Sequence, residues 1–369
     1  MVLAKTAARI LIAGGGTGGH IIPALAVARE LVAAQGAEVL FVGTERGLET
    51  RMVPEAGFAL RLVEVGPLNR VSLGTRLRTL RLLPLSVVAC ARFIREFRAD
   101  VVFGVGGYAS GPAMAAAQIG GVPTLAFEPN AVPGLANRLV GRWVSAAAVN
   151  FAPAARWFRN AEVTGIPVRE EFFSIAPLES SRPPHLLVFG GSQGARILNT
   201  LLPQVAAELL GSVPGLTVLH QAGARHAEAT RAAYAAACAG IDGSRWRVEA
   251  FLDGMAGCFE AADLVLARSG ASTVAELAAA GRPALLVPFA AAADDHQRAN
   301  AEVMVGAGGA MLLTERELSE QPRLLEETLA GLLEDRQRLM AMGERARTEA
   351  HRDAASRIAE RLVELSGHS

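Results

Sequence analysis

"ILIAGGGTGGHIIPALAVARELV" runs from Ile10 to Val32: an apolar run, a glycine-rich turn, then a helix-like pattern. A buried strand feeding a glycine turn and a helix is the repeating unit of parallel α/β sheets. Gly14, Gly16 and Gly19 also satisfy G-x-G-x-x-G, the spacing of a dinucleotide-binding turn. Two observations speak against a dinucleotide. A ribose-binding acid belongs at the end of the second strand, about 20 residues on. Here "VLFVG" ends in Gly43-Thr44, and the nearest acid, Glu45, falls late. His20 is the second objection, because it stands where a pyrophosphate must approach. Imidazole titrates near neutrality and suits a general base; it equally suits a helix start, and this stretch alone leaves both open.

The strand–turn–helix alternation continues outward. "AEVLFVG", "ADVVFGVG" and "GVPTLAFE" are short buried strands, and "PALAVARELVAAQG" is a helix closed by a C-cap glycine. The unit then restarts at "HLLVFGGSQGARILNTLLPQVAAELL" (His185–Leu210), followed by the strands "TVLHQAG", "WRVEAFL", "ADLVLARSG" and "RPALLVPF". At 369 residues the chain accommodates about two domains of roughly 150 residues. Two doubly wound domains are therefore expected, 1–168 and 169–349, with "GIPVREEFFSIAPLESSRPP" as a linker. The charged helical stretch from about 350 to 369 either packs on its own domain or returns to the first.

Composition narrows the function. Cys90, Cys238 and Cys258 are scattered and odd in number, so neither a disulfide framework nor a metal spacing follows, and a reducing cytosol is expected. The N-terminus lacks a signal peptide's apolar core. Val101–Phe127 carries no charge, but its glycines and prolines mark a buried strand–turn–helix–strand unit, and the protein is expected to be soluble. The balanced charge of 36 basic and 36 acidic residues is unevenly spread: residues 1–170 hold 18 of the former and 11 of the latter. A basic half suits an anionic partner. The segment Leu68–Arg98 concentrates seven arginines, Arg76, Arg78 and Arg81 among them, against the single acid Glu96. Docking on an anionic membrane surface is the reading preferred over a merely solvated helix. Pro84 is expected to break that helix. Too few aromatics accompany the arginines for stacking on nucleic acid.

Three further segments carry chemistry. "FGGSQGAR" sets Ser192 at a helix start, where N–H groups and the helix dipole favour anions. "RSGASTVAELAAAG" sets Ala271, Ser272 and Thr273 before a helix that carries Glu276. Thr273-x-x-Glu276 fits a capping box; alternatively, the turn holds a diphosphate and Glu276 a ribose. "PFAAAADDHQRANA" (Pro288–Ala301) is a solvated loop, a sugar-recognition segment or, least favoured, a metal site. No D-x-D, H-x-x-H or C-x-x-C supports the last.

Taken in order, "GGGTGGH" (14–20), "GVGGYASGP" (104–112), "EPN" (128–130), "GIPVR" (165–169), "GGSQGAR" (190–196), "RSGASTVAE" (268–276) and "DDHQRANA" (294–301) closely resemble the MurG glycosyltransferases of bacteria. The resemblance implies a GT-B fold, two Rossmann-like domains flanking a cleft, with no metal and no cofactor. It implies UDP-N-acetylglucosamine as donor, bound mainly by the second domain. Leu252 would read uracil through its backbone, Glu276 would bond the ribose, and Ser192 with Ala271–Thr273 would hold the diphosphate. Gln297 and Asn130 would contact the sugar, Thr17, Gly18 and Gly19 would line the cleft, and Arg169 would stand at the domain junction.

The implied acceptor is the undecaprenyl-pyrophosphoryl muramyl-pentapeptide, approached at the cytoplasmic face of the membrane. Its muramyl 4-hydroxyl attacks the anomeric carbon opposite UDP, inverting it, with His20 as general base and Glu128 as rival. Pro129, Ile166 and His296 depart from residues common in the family. The alternatives are a GT-B UDP-N-acetylglucosamine epimerase and a non-catalytic sugar-nucleotide-binding subunit.

Overall fold

The computed structural model describes residues 7–45, 47–66, 73–179, 182–191 and 193–367; the side chains of 73–81 and of Ala293 are not among them. The chain divides into two units, one of residues up to Pro167 together with those from His351, the other Val168–Ala350.

In the first unit, the strands are β1 (Arg9–Ala13), β2 (Glu38–Gly43), β3 (Ala59–Leu62), β4 (Val101–Gly104), β5 (Thr124–Glu128), β6 (Ala146–Val149) and β7 (Ala161–Val163). They form a parallel sheet of order β3-β2-β1-β4-β5-β6-β7. β1, β4, β5 and β6 are almost wholly buried, as a sheet covered on both faces requires. The helices are α1 (Gly18–Gln35), α2 (Glu49–Glu55), α3 (Leu73–Phe97), α4 (Ser110–Ile119) and α5 (Leu135–Val140). The strand order reverses between β1 and β4, so the loops that leave their carboxyl ends flank a crevice, the usual ligand position in such sheets.

The second unit repeats the plan. Its strands β8 (His185–Phe189), β9 (Thr217–Gln221), β10 (Trp246–Glu249), β11 (Leu264–Ala267), β12 (Ala284–Leu286) and β13 (Ala310–Leu312) are parallel in the order β10-β9-β8-β11-β12-β13. Its helices are α6 (Glu170–Phe173), α7 (Arg196–Ser212), α8 (Ala227–Ala237), α9 (Met255–Ala261), α10 (Ala271–Ala280), α11 (His296–Gly306), α12 (Glu315–Glu320), α13 (Arg323–Glu334) and α14 (Arg336–Arg347). Here the reversal lies between β8 and β11, at the "GGSQGAR" and "RSGAST" turns.

The last helix, α15 (Ala354–Ser366), belongs to the first unit and packs on α1. Ala354, Ile358 and Leu362, four residues apart, are fully buried, and burying Ile358 and Leu362 stabilises the contact by about 1.5–3 kcal/mol each. Arg357 adds an ion pair to Glu162 on β7 at 2.6 Å.

Two local expectations are corrected. The stretch after Arg169 is not a free linker: Phe172 is fully buried edge-on against Phe259 at 5.2 Å. The carbonyls of Ile175 and Ala176 accept from Arg347 and Arg282 at 2.8 and 3.0 Å. Apolar burial and two guanidinium bonds hold this segment on the second unit. Nor does Pro84 break α3, which continues to Phe97. A proline costs one backbone hydrogen bond; against that loss, α3 packs along α4. The Ser86 hydroxyl also donates to the Leu82 and Glu64 carbonyls at 2.9 and 2.7 Å.

Candidate active site

The glycine turn after β1 and the "GVGGYASGP" turn after β4 meet at the first switch point. The Gly15 N–H donates to the Gly106 carbonyl at 3.3 Å. Gly106 lies at φ +91°, and a Cβ there would come within 2.9 Å of the His20 ring, so only glycine serves at this position. His20 sits in the first turn of α1, half-buried, with its Nδ1 3.3 Å from the Thr17 hydroxyl.

Glu128 closes β5 and is 2 % exposed. Its Oε1 accepts from the Asn130 N–H and Nδ2 at 2.9 and 3.1 Å. Its Oε2 accepts from the Gly134 N–H at 3.1 Å and from Asn137 Nδ2 at 2.9 Å. Burial raises the Glu128 pKa, while these four bonds pull it back down. Four donors on two oxygens make the carboxylate an organiser of the 128–137 loop.

His20, Glu128, Asn130 and Asn137 line one cavity of about 450 Å³, whose other walls include the apolar Leu83, Val87, Leu135, Leu139 and Val140. Polar groups beside aliphatic walls suit an amphiphilic ligand. Thr17, Gly18 and Gly19 lie at the N-terminal end of α1, next to this cavity's His20. Asn137 was not foreseen; its signal is a buried amide in a short helix, LANRLV, whose only other polar residue is Arg138.

In the second unit, Ala271, Ser272 and Thr273 form the first turn of α10, with Gly270 as N-cap and no side-chain cap bond. The capping box is therefore absent: Thr273 lies inside the helix, one turn too late to cap it. The Glu276 carboxylate instead faces Arg169, whose guanidinium is 3.9 Å away and also pairs with Glu171 at 2.9 Å. Burial pushes the Glu276 carboxyl up to about 7; Arg169 opposes that shift and Glu171 adds to it. Leu252 is half-buried in the loop between β10 and α9.

Gln297, in the first turn of α11, accepts the Phe289 N–H through Oε1 at 3.0 Å, and its carbonyl accepts the Ser269 hydroxyl at 2.7 Å. It lines a cavity of about 630 Å³ with Gly190, Gln193 and Arg268. Arg268, which sequence reasoning missed, binds the Val287 and Pro288 carbonyls at 3.0 and 3.1 Å and pairs with Glu315. Ser192 lies outside the described residues, as do the side chains of Arg76, Arg78 and Arg81. Among the described residues no cluster of His, Cys, Asp or Glu is arranged to hold a metal ion.

Two parallel-sheet units, each with a glycine-rich turn at its switch point, form a GT-B architecture. In agreement, residues 10–149 match the glycosyltransferase family 28 N-terminal domain, and residues 185–358 match the C-terminal domain of the same family. The chain belongs to the family of UDP-N-acetylglucosamine–N-acetylmuramyl-(pentapeptide) pyrophosphoryl-undecaprenol N-acetylglucosamine transferases, the MurG family. It is 44 % identical to the transferase of that name from Solibacter usitatus, over 99 % of this chain and 98 % of the relative. The corresponding protein of Nitrosococcus oceani is 45 % identical, over 98 % and 99 %. The crystal structure of Acinetobacter baumannii MurG matches with a TM-score of 0.82 at 30 % identity, covering 97 % of this chain and 99 % of that one.

Proposed function

We propose that this protein transfers N-acetylglucosamine from UDP-N-acetylglucosamine to the 4-hydroxyl of the muramyl sugar in undecaprenyl-pyrophosphoryl-muramyl-pentapeptide. The observation that carries the reading is end-to-end similarity, at 44 % and 45 % identity, to transferases bearing that name. The second unit is the donor unit: the α10 N-terminus (Ala271–Thr273) and the turn holding Ser192 take the diphosphate, Leu252 the base, Glu276 the ribose and Gln297 the sugar. Their N–H groups stabilise the charge that grows on departing UDP, a role a cation fills elsewhere.

The first unit is the acceptor unit, its cavity taking the muramyl sugar, and Asn130 contacts the N-acetylglucosamine of the donor. As the O4–C1 bond forms and the C1–phosphate oxygen bond breaks, the hydroxyl proton passes to His20. The rival base, Glu128, is disfavoured because four hydrogen bonds already occupy its oxygens. Leu85, Val88, Ile119, Leu139 and Trp143 are exposed apolar residues of this unit. With the arginines of α3 they suit peripheral docking on an anionic cytoplasmic membrane face. No helix among the described residues is long and apolar enough to cross a membrane.

The test is transfer of labelled N-acetylglucosamine to a muramyl-pyrophosphoryl lipid with EDTA present. Inverted, β-linked product at an undiminished rate is expected. Epimerised donor in the absence of acceptor, or UDP binding without transfer, would replace this reading with one of its rivals.

A further inference from the structure

Glu49, at the start of α2, is 1 % exposed although it is an acid beside a glycine-rich turn. Its Oε2 accepts the Gly16 N–H at 2.7 Å, and its Oε1 accepts both the Thr44 N–H at 2.9 Å and the Thr44 hydroxyl at 3.0 Å. The Gly14 N–H donates to the Val42 carbonyl at 3.0 Å and the Gly15 N–H to Gly106. Gly14, Gly15 and Gly16 thus all spend their N–H groups inside the protein. A Cβ at Gly15, Gly43 or Gly47 would overlap the Glu49 side chain, so glycine at these places is the room the carboxylate occupies.

In a dinucleotide-binding domain the corresponding turn cradles a pyrophosphate. We propose that Glu49 is a positioning residue: its carboxylate is the permanent internal anion of the first glycine turn. It bars a phosphate from Gly16 and holds the following Thr17–His20 backbone so that the imidazole meets the unit-one cavity. The link is short, since Gly16 directly precedes Thr17 and the Thr17 hydroxyl lies against His20 Nδ1. The inference rests on the reading of His20 as the acceptor-side base. Charge is integral to it: three donors converge on two oxygens, and no neutral side chain of that shape accepts from all three.

The experiment compares the full chain with Glu49→Gln, Glu49→Ala and His20→Ala, measuring transfer to the muramyl lipid and UDP binding by calorimetry. Glu49→Gln sets an amide NH₂ against an N–H and lowers kcat on the order of 100-fold, the cost of displacing a catalytic group by about 1 Å. The UDP Kd stays within about twofold, because the residues taken to hold uracil, ribose and diphosphate lie in the other unit. Glu49→Ala leaves space that formate fills, so formate restores kcat saturably and chloride at equal ionic strength does not.

Wild-type kcat in both Glu49 variants, with His20→Ala inactive, overturns this proposal alone. Lost turnover that comes with equally lost UDP affinity overturns it too, since that marks general unfolding; should Glu49→Ala fail to fold, Glu49→Gln decides. A normal rate for His20→Ala removes the base reading and this proposal with it.

Discussion

Replacing Glu276 by Gln should move stability and donor affinity in opposite directions. The carboxyl has an ordinary value of 4.5 and is pushed up to about 7 by burial. A carboxylate whose folded value is raised binds an extra proton in the folded state between those two values. Folding stability therefore falls as pH rises from about 4.5 to about 7, and the loss is complete above that window. The interval corresponds to about 3 kcal/mol. A neutral glutamine escapes the penalty, so at pH 8 the variant should unfold several degrees higher than the parent, with no gain at pH 4.

If ribose hydroxyls donate to Glu276, the ionised form is the binding form. Wild-type affinity for UDP-N-acetylglucosamine should then weaken about tenfold from pH 8 to pH 6. Glutamine, losing charge-assisted bonds worth about 1.5–3 kcal/mol, should bind about 10- to 100-fold more weakly at pH 8 and show no such slope. Calorimetric titration with the intact sugar nucleotide checks this, because its doubly substituted diphosphate does not titrate in the range. A flat wild-type profile, or a variant that binds as tightly as the parent, would refute the ribose role; a variant with unchanged melting would refute the burial argument.

Asp263→Asn should destabilise the second unit by about 3–5 kcal/mol, because the fully buried carboxylate pairs with Arg182 and Arg336 and accepts the His185 N–H. Scanning calorimetry should show a melting point lower by about 10 °C, and a shift below 2 °C would contradict the assignment. Leu85→Glu with Val88→Glu changes two α3 side chains that are 66 % and 67 % exposed. The loss of apolar insertion and the added repulsion from anionic lipid should lower binding to anionic vesicles at least about tenfold in a sedimentation assay. Unchanged binding would move the membrane face away from α3.

The strands easiest to read are those buried on both faces: β1, β4, β5, β8 and β11 announce themselves as short, largely apolar runs. β3, β7 and β13 did not. β3 and β7 are sheet edges of four and three residues with partly exposed side chains, and β13 spans only three. β6 is an alanine run, AAAV, whose composition favours helix; the neighbouring β5 overrides that preference through register pairing. At the site, the residue pattern brought out His20 and Glu276, and the family resemblance Glu128, but not what surrounds them. Asn137, Glu49 and Arg268 act across 9, 33 and 47 residues of chain, on Glu128, Gly16 and Glu315. Such contacts carry no local period.

The two glycine-rich switch points show why the same local code supports opposite uses. Both present N–H groups after a buried parallel strand, and both would attract an anion on dipole grounds alone. At the first, a carboxylate 33 residues downstream of Gly16 folds back and occupies the position, leaving the turn to carry an imidazole toward an amphiphilic cavity. At the second, the α10 N-terminus has no side-chain cap, and Glu276, the helix's sixth residue, has its carboxyl pushed up to about 7 by burial, where a ligand's hydroxyls can decide its charge. Under the proposed assignment, what separates the acceptor-side turn from the donor-side turn is therefore where an acid stands in space, a property of tertiary packing that the glycine spacing does not encode.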